Sequence, residues 1–154
     1  MSSSVSDYLI ERGAVVWFDL ACSRNDVPRV REYLEQDPAL ANERSPGRRP
    51  EAHSLPIVAS AGAGALEVVE VLLEFGAPIN TRDELRDGET ALHSAARRGY
   101  RELVTFLVAH GADPTIQTTT SGMTAHDYAA DGKRRGWIAQ VGIAEHDAVI
   151  TLLS

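Results

Sequence analysis

The histidines of this chain are the residues whose chemistry could support catalysis or metal binding. His126 precedes Asp127, and an imidazole beside a carboxylate can act as a general base. Adjacent helix positions point about 100° apart, so the two side chains are not expected to form a dyad. Asp127 instead follows Thr124 by three residues, which is the spacing of a helix capping box. A catalytic pocket would need further side chains from this end of the chain, namely Tyr128 and Trp137.

The other reactive side chains lack partners at the spacing that catalysis or metal binding requires. His53 and His146 are expected at the edges of loops or helices, and Cys22 as a buried, inert thiol. The sequence contains no paired cysteines, metalloprotease helix, nucleophile elbow or phosphate-binding loop. We therefore predict no catalytic residue, no metal site and no cofactor. Because one cysteine cannot form an intramolecular disulfide, a reducing cytoplasm is the expected location.

The composition excludes several classes of partner. The 154 residues carry a net charge of −7, so no excess of lysine and arginine is available for nucleic acid. No apolar run reaches the roughly 18–20 residues that span a bilayer, and no secretory signal is expected. Fourteen arginines accompany one lysine, which favours a GC-rich and hence bacterial genome. The expected partner is another protein, and the expected form is a monomer.

Apolar periodicity predicts a pair of helices in "TALHSAARRG" (90–99) and "YRELVTFLVAHG" (100–111). Thr90 is placed to cap the first helix, and Gly99 and Gly111 suit the left-handed conformation that ends a helix. Two short antiparallel helices expose most of their apolar surface when alone. Such a pair therefore requires similar pairs on either side.

Three further segments repeat this pattern. "LPIVASAGAGALEVVEVLLEFGAPIN" (55–80) matches it 35 residues earlier, and "TAHDYAA" (124–130) with "HDAVITLLS" (146–154) matches it further on. "WFDLACSRNDVPRVREYLEQDPALAN" (17–42) is a looser copy, with Asn25 in place of the glycine. We predict one domain, 1–154, with repeats at approximately 14–46, 52–83, 87–117 and 121–154 and an N-terminal capping segment at 1–13.

The repeat at 87–117 resembles the ankyrin repeat, which has about 33 residues, opens with T-P-L-H-x-A and closes with Gly-Ala-Asp. "TALHSAARRG" and "LVAHGAD" (107–113) carry most of the diagnostic positions. "LPIV" at 55–58 departs from the opening, and Pro78 departs from the closing turn. The resemblance implies an all-α solenoid of stacked antiparallel helix pairs joined by finger loops. It also implies a protein-protein interaction module, in which His93 bonds the backbone.

The resemblance further implies a concave binding surface formed by the finger loops and the first helices. The fingers would be 43–53, 78–88 and 114–122. The first finger is either a solvated loop or a further contact site. The candidate contact residues are Arg48, Arg49, Glu51, Ser54, Arg86, Asp87, Glu89, Arg97, Arg98, Thr120, Ser121 and Met123. A positive strip for an acidic protein surface or a phosphorylated ligand is expected from Arg44, Arg48, Arg49, Arg86, Arg97 and Arg98.

Residues 132–147 have no counterpart in the ankyrin repeat. This segment is either a cap that closes the end of the solenoid or a second interaction patch built on Trp137, Arg134 and Arg135. The expected function is a cytoplasmic adaptor or regulator that binds its partner through the concave surface, and not an enzyme. The alternatives are a small enzyme or small-molecule-binding protein with a pocket at the irregular C-terminal repeat, and a subunit of a homo-oligomer.

Overall fold

Four pairs of helices follow one another in the computed structural model, which describes residues 14–44, 54–136 and 143–154. The described part is all-α, as predicted, and its one β-bridge joins Asp83 to Glu89. The first helices of the pairs are α1 (Ala14–Ser23), α3 (Pro56–Ala63), α5 (Ala91–Arg98) and α7 (Ala125–Arg134). The second helices are α2 (Val27–Gln36), α4 (Leu66–Glu74), α6 (Arg101–Ala109) and α8 (Ile143–Leu153). Short 3₁₀ turns lie at Pro38–Ala41 and Glu84–Arg86.

The helix ends follow from local sequence. Thr124 and Asp127 form the predicted capping box: the Thr124 N–H donates to the Asp127 carboxylate at 2.9 Å. Gly99 ends α5 with φ of 72°, a left-handed conformation that glycine adopts without steric penalty. Asn25 takes the equivalent position after α1 with φ of 55°, as its alignment with the glycines predicted. Gly99 and Asn25 thus form the tight turns between the two helices of their pairs.

Small residues allow the first helices of neighbouring pairs to approach closely. Ala91, Ala95 and Ala96 are fully buried in α5. A Cβ atom added to Gly132 of α7 would lie 2.0 Å from the carbonyl oxygen of Arg97, so only glycine fits at this contact. The largest fully buried apolar side chains, which form one core along the stack, are Phe18, Leu34, Ile57, Leu72, Leu92, Leu103 and Leu107.

Two side chains in this core bear on the sequence predictions. Cys22 is 2% exposed, which confirms the predicted burial, and this burial raises the pKa of its thiol to about 12. His146 was predicted at the edge of a loop or helix, and this is wrong. It lies inside α8, fully buried, with Nε2 at 3.0 Å from the Arg97 carbonyl oxygen. The imidazole therefore satisfies a carbonyl at the open end of α5.

The two ends of the predicted insertion at 132–147 are helical, so the segment between the two helices is shorter than the sequence predicted. Helix α7 continues to Arg134, and α8 begins at Ile143. Lys133 and Asp147 join the two helices through an ion pair of 2.5 Å. Trp137 lies outside the described residues, as do the capping segment at 1–13 and residues 45–53 of the first finger. None of the described helices has the length and apolar character needed to cross a membrane.

Candidate protein-interaction surface

The second finger, 78–88, is held in place by the buried carboxylate of Asp83. Asp83 is fully buried and accepts hydrogen bonds from the Leu55 N–H at 2.8 Å and from Arg44 at 2.5 Å. Its backbone N–H donates to the Glu89 carbonyl at 2.8 Å, and its own carbonyl accepts from the Arg86 N–H at 2.8 Å. The finger is thus closed on itself and tied to the second helix pair and to the first finger.

Asp87 connects the second finger to the third finger, 114–122. Its carboxylate accepts hydrogen bonds from the N–H groups of Thr120 (2.5 Å) and Ser121 (3.2 Å) and from the Ser121 hydroxyl (2.7 Å). Its carbonyl accepts from the Thr119 N–H at 2.8 Å. We call these four hydrogen bonds the Asp87 clamp. The hydrogen bonds from Ser121 and Thr120 hold the pKa of Asp87 well below its usual range, so the carboxylate is ionised.

Glu89 was expected among the exposed contact residues, and the structure corrects this, because its side chain is only 6% exposed. Its carboxylate accepts from Arg97 at 2.5 Å, from the Tyr128 hydroxyl at 3.1 Å and from the Ser94 hydroxyl at 3.2 Å. The Arg97 guanidinium also lies 4.3 Å from the centre of the Tyr128 ring. Burial raises the pKa of Tyr128 to about 12, and the negative charge of the Glu89 carboxylate is the second-largest cause of this shift. This Glu89 cluster joins the third and fourth helix pairs.

Of the four arginines of the predicted positive strip that the structure describes, three are paired with acids of the same chain. Arg44 pairs with Asp83, while Arg97 and, at 3.7 Å, Arg86 share Glu89. The strip was inferred from arginines alone, and the acids at the base of the second finger were not weighed against them. Two guanidinium groups share the one carboxylate of Glu89, so one positive charge remains uncompensated. We assign it to Arg86, which is farther from Glu89 and has a 44% exposed side chain.

The remaining candidate contact residues lie in different environments. Thr120 and Ser121 are exposed at the tip of the third finger, whereas Ser54, Arg98 and Met123 are half-buried. The predictions for Arg48, Arg49 and Glu51 fall outside the described residues. Leu85 was missed: it is 53% exposed at the apex of the second finger, more than any other large apolar side chain that the structure describes. An apolar residue in the middle of the polar stretch "TRDELRDGE" (81–89) was a signal for it.

The histidine predictions concern residues on or beside the first helices. The ring of His93 is 1% exposed; its Nδ1 accepts from the Thr90 N–H at 3.2 Å, and Nε2 lies 3.0 Å from the Met123 carbonyl oxygen. His93 therefore bonds the backbone, as the resemblance implied. Burial lowers its pKa. In the described ranges, no three His, Cys, Asp or Glu side chains are grouped so that they could hold a metal ion.

Two of the side chains proposed for a pocket at the C-terminal repeat are engaged in structural hydrogen bonds. The Asp127 carboxylate is engaged by Thr124, and its nearest distance to the His126 ring is 3.8 Å. Tyr128 is 5% exposed, with its hydroxyl on Glu89, so it does not line an open pocket. Arg134 and Arg135, the predicted rim of the second patch, are both exposed and both pair with Asp131.

Stacked helix pairs, joined by fingers that are fixed at their bases and exposed at their tips, define a repeat scaffold for binding other macromolecules. A family model for ankyrin repeats in three copies matches residues 18–118 and 55–141. The chain belongs to the ankyrin-repeat family. Ankyrin repeats mediate binding between proteins, and the coarse functional class is therefore a protein-protein interaction module.

Individual relatives match through the repeats alone. The chain is 36% identical over 110 residues, 71% of its length, to a probable E3 ubiquitin-protein ligase XBOS33 of Oryza sativa subsp. japonica. It is 30% identical over 124 residues to BRCA1-associated RING domain protein 1 of Caenorhabditis elegans, and 33% identical over 98 residues to ankyrin repeat and SAM domain-containing protein 6 of Rattus norvegicus. The matches span 20%, 16% and 10% of these relatives. The ligase name thus describes a protein of which this chain resembles one part.

Proposed function

We propose that the chain is an adaptor or regulator that binds another protein through the tips of its second and third fingers and the adjoining first helices. We call this the finger face, and its described exposed residues include Ala59, Ala63, Leu85, Arg86, Thr120 and Ser121. Catalysis is not part of the proposal. The observation that carries it is the exposure of Leu85 at the apex of a finger whose base is closed by buried hydrogen bonds.

Rigid presentation of Leu85 supports this function on energetic grounds. A flexible loop must be ordered when it binds, at about 0.5–1.5 kcal/mol for each immobilised side chain, and this reduces affinity. Asp83 and Asp87 fix the finger on both sides of the Glu84–Arg86 turn before any partner arrives. Arginine is enriched among the side chains that contribute most to binding, and burial of an exposed apolar side chain adds a hydrophobic contribution. Leu85 with Arg86 provides both kinds of side chain at one position.

The charges of the finger face indicate the chemistry of the partner. Arg86 shares Glu89 with Arg97, so its guanidinium retains capacity for a second carboxylate. We propose a partner surface with an apolar pocket for Leu85 and an acidic group beside it for Arg86. The proposed partner is thus acidic, as the sequence predicts, and among the described arginines its proposed contact is Arg86.

The remaining parts of the proposal concern the setting. We propose that the chain acts as a monomer in the cytoplasm, and the support for the location is Cys22, a buried and unpaired thiol. The relatives named above come from plants and animals, so the bacterial origin stays a prediction from arginine usage alone. Light scattering tests the oligomeric state: a mass of about 16.7 kDa is expected, and a larger mass contradicts it.

Affinity purification of the tagged chain from its own host, followed by mass spectrometry, tests the proposal. Leu85→Ser should lower the recovery of the principal partner strongly, because burial of one leucine contributes about 1.5–3 kcal/mol, which is roughly tenfold or more in affinity. Leu152→Ser is the matched control, since Leu152 is 38% exposed on α8, away from the finger tips. Equal recovery with both variants contradicts the finger face as the binding site.

A further inference from the structure

The tip of the third finger is a run of hydroxyl residues, "TTTSG" (118–122), that meets the second finger. Ser121 is exposed, and its hydroxyl donates to the Asp87 carboxylate at 2.7 Å. Behind it, the Thr118 hydroxyl lies 2.7 Å from the Ser121 oxygen. Because Ser121 donates to Asp87, its oxygen is left to accept from Thr118. The Ser121 hydroxyl is therefore the one side-chain donor of the Asp87 clamp, within reach of solvent.

The donors of the clamp are neutral, and three of its four hydrogen bonds end on the charged Asp87 carboxylate. Backbone N–H groups of Thr119, Thr120 and Ser121 and one hydroxyl converge on Asp87. Arg82, the arginine that contacts this finger, donates instead to the Thr119 hydroxyl at 2.9 Å and pairs with Glu84 at 3.5 Å. A second negative charge placed at Ser121 would thus meet the Asp87 carboxylate directly.

We propose that Ser121 is a phosphorylation site and that its phosphate opens the Asp87 clamp, which releases the third finger from the second. In this transfer the Ser121 oxygen forms a bond to the γ-phosphorus of a nucleoside triphosphate. The bond from that phosphorus to the nucleoside diphosphate breaks, and the hydroxyl proton passes to the base of the protein kinase. The inference rests on the proposed function in one respect only: the finger face is the surface that the phosphate would regulate.

The consequence follows from charge and hydrogen bonding. Phosphorylated Ser121 has no hydroxyl proton to donate, and it carries a charge of about −1.5 to −2 at neutral pH. Beside an ionised carboxylate this charge is repelled, and the N–H bonds of Thr119 and Thr120 to Asp87 are lost with the contact. The tips of the two fingers then no longer hold one arrangement. Affinity for a partner that contacts both fingers decreases.

The isolated chain, residues 1–154, with phosphoserine incorporated at position 121 tests the switch without a partner. Amide hydrogen exchange of Thr119 and Thr120 should accelerate by roughly tenfold or more, because Thr120 loses a charge-assisted bond to the Asp87 carboxylate and Thr119 its bond to the Asp87 carbonyl. Phosphoserine at position 23 is the control for added charge, because the Ser23 hydroxyl donates to a backbone carbonyl of α1. Unchanged exchange at Thr119 and Thr120, or slower exchange through capture of the phosphate by Arg82, overturns the proposal.

Asp87→Asn identifies the repulsion as the cause. Asparagine is tolerated at the φ of 61° found for Asp87, and its amide can donate to a phosphate. In the Asp87→Asn chain, phosphoserine 121 should change the exchange of Thr119 by less than roughly twofold. A tenfold acceleration there would show that bulk, not charge, opens the clamp, and would overturn the mechanism.

Incubation of the chain with host extract and ATP tests the site itself, with phosphopeptide mapping as the readout. Label on Ser121 is expected, and label confined to other residues overturns the assignment. The exchange and labelling experiments are independent of partner binding. If phosphorylation opens the clamp but leaves the affinity for the partner unchanged, the result counts against the finger face. If the clamp stays closed in the phosphorylated chain, the result counts against the switch.

Discussion

Replacing Arg97 should destabilise the fold, although the sequence suggested an exposed residue whose role is in binding. Arg97→Met keeps the length of the side chain and leaves Glu89 buried without its 2.5 Å ion-pair partner. Breaking a buried ion pair costs about 3–5 kcal/mol. The Arg97 side chain is 21% exposed, and Glu89 keeps Arg86 at 3.7 Å and its bonds to Tyr128 and Ser94, so we expect a smaller loss, about 2–3 kcal/mol.

Urea unfolding followed by circular dichroism measures this loss, which corresponds to a decrease in Tm of about 5–10 °C for a domain of this size. Arg101→Met is the matched control: its ion pair with Glu145, 3.5 Å long and exposed, is worth at most about 1 kcal/mol. In the double variant Arg97→Met/Glu89→Gln the two losses should be less than additive, because no buried charge is left unpaired. A change below about 0.5 kcal/mol for Arg97→Met would refute the reasoning.

Three further predictions concern the core. Gly132→Ala should lower the free energy of unfolding by about 1–3 kcal/mol, because its Cβ would meet the Arg97 carbonyl oxygen, whereas Gly62→Ala, with only an ordinary contact to Ser94 at 3.7 Å, should be neutral or stabilising. The pKa of His93 is lowered in the folded chain, so the unfolded chain binds more protons below pH about 6.5. The free energy of unfolding should therefore fall by up to about 1.4 kcal/mol for each unit by which the pH is lowered below that value. Unfolding measured at a series of pH values should show this decrease, and a smaller one in His93→Gln. The Cys22 thiol should react with a thiol reagent only on unfolding, and rapid labelling of native protein would contradict its burial.

The repeat sequence predicted the helix pairs because apolar spacing and caps are local properties. "TALHSAARRG" contains the cap, the apolar stripe and the terminal glycine of α5 within ten residues. His146 was misplaced because its partner, the Arg97 carbonyl, is 49 positions away and belongs to another helix pair. Gly132 was not singled out for the same reason. Contacts between repeats depend on how the pairs stack, which no single repeat encodes.

The finger face was predictable only in outline. Its position followed from the resemblance, but the environment of each arginine depended on Asp83 and Glu89, which the fold buries at the base of the second finger. An acid in a polar loop carries no sequence signal that separates a buried carboxylate from a solvated one. Leu85 differs, since an apolar residue in a polar finger stands out in the sequence itself.

Hydrogen exchange of the whole chain, measured with and without its purified principal partner, tests the finger face most directly. The account predicts slower exchange at 82–88 and 119–123 in the complex, with little change in the second helices α2, α4 and α6. Protection confined to those second helices, with the fingers exchanging as in the unbound chain, would contradict it.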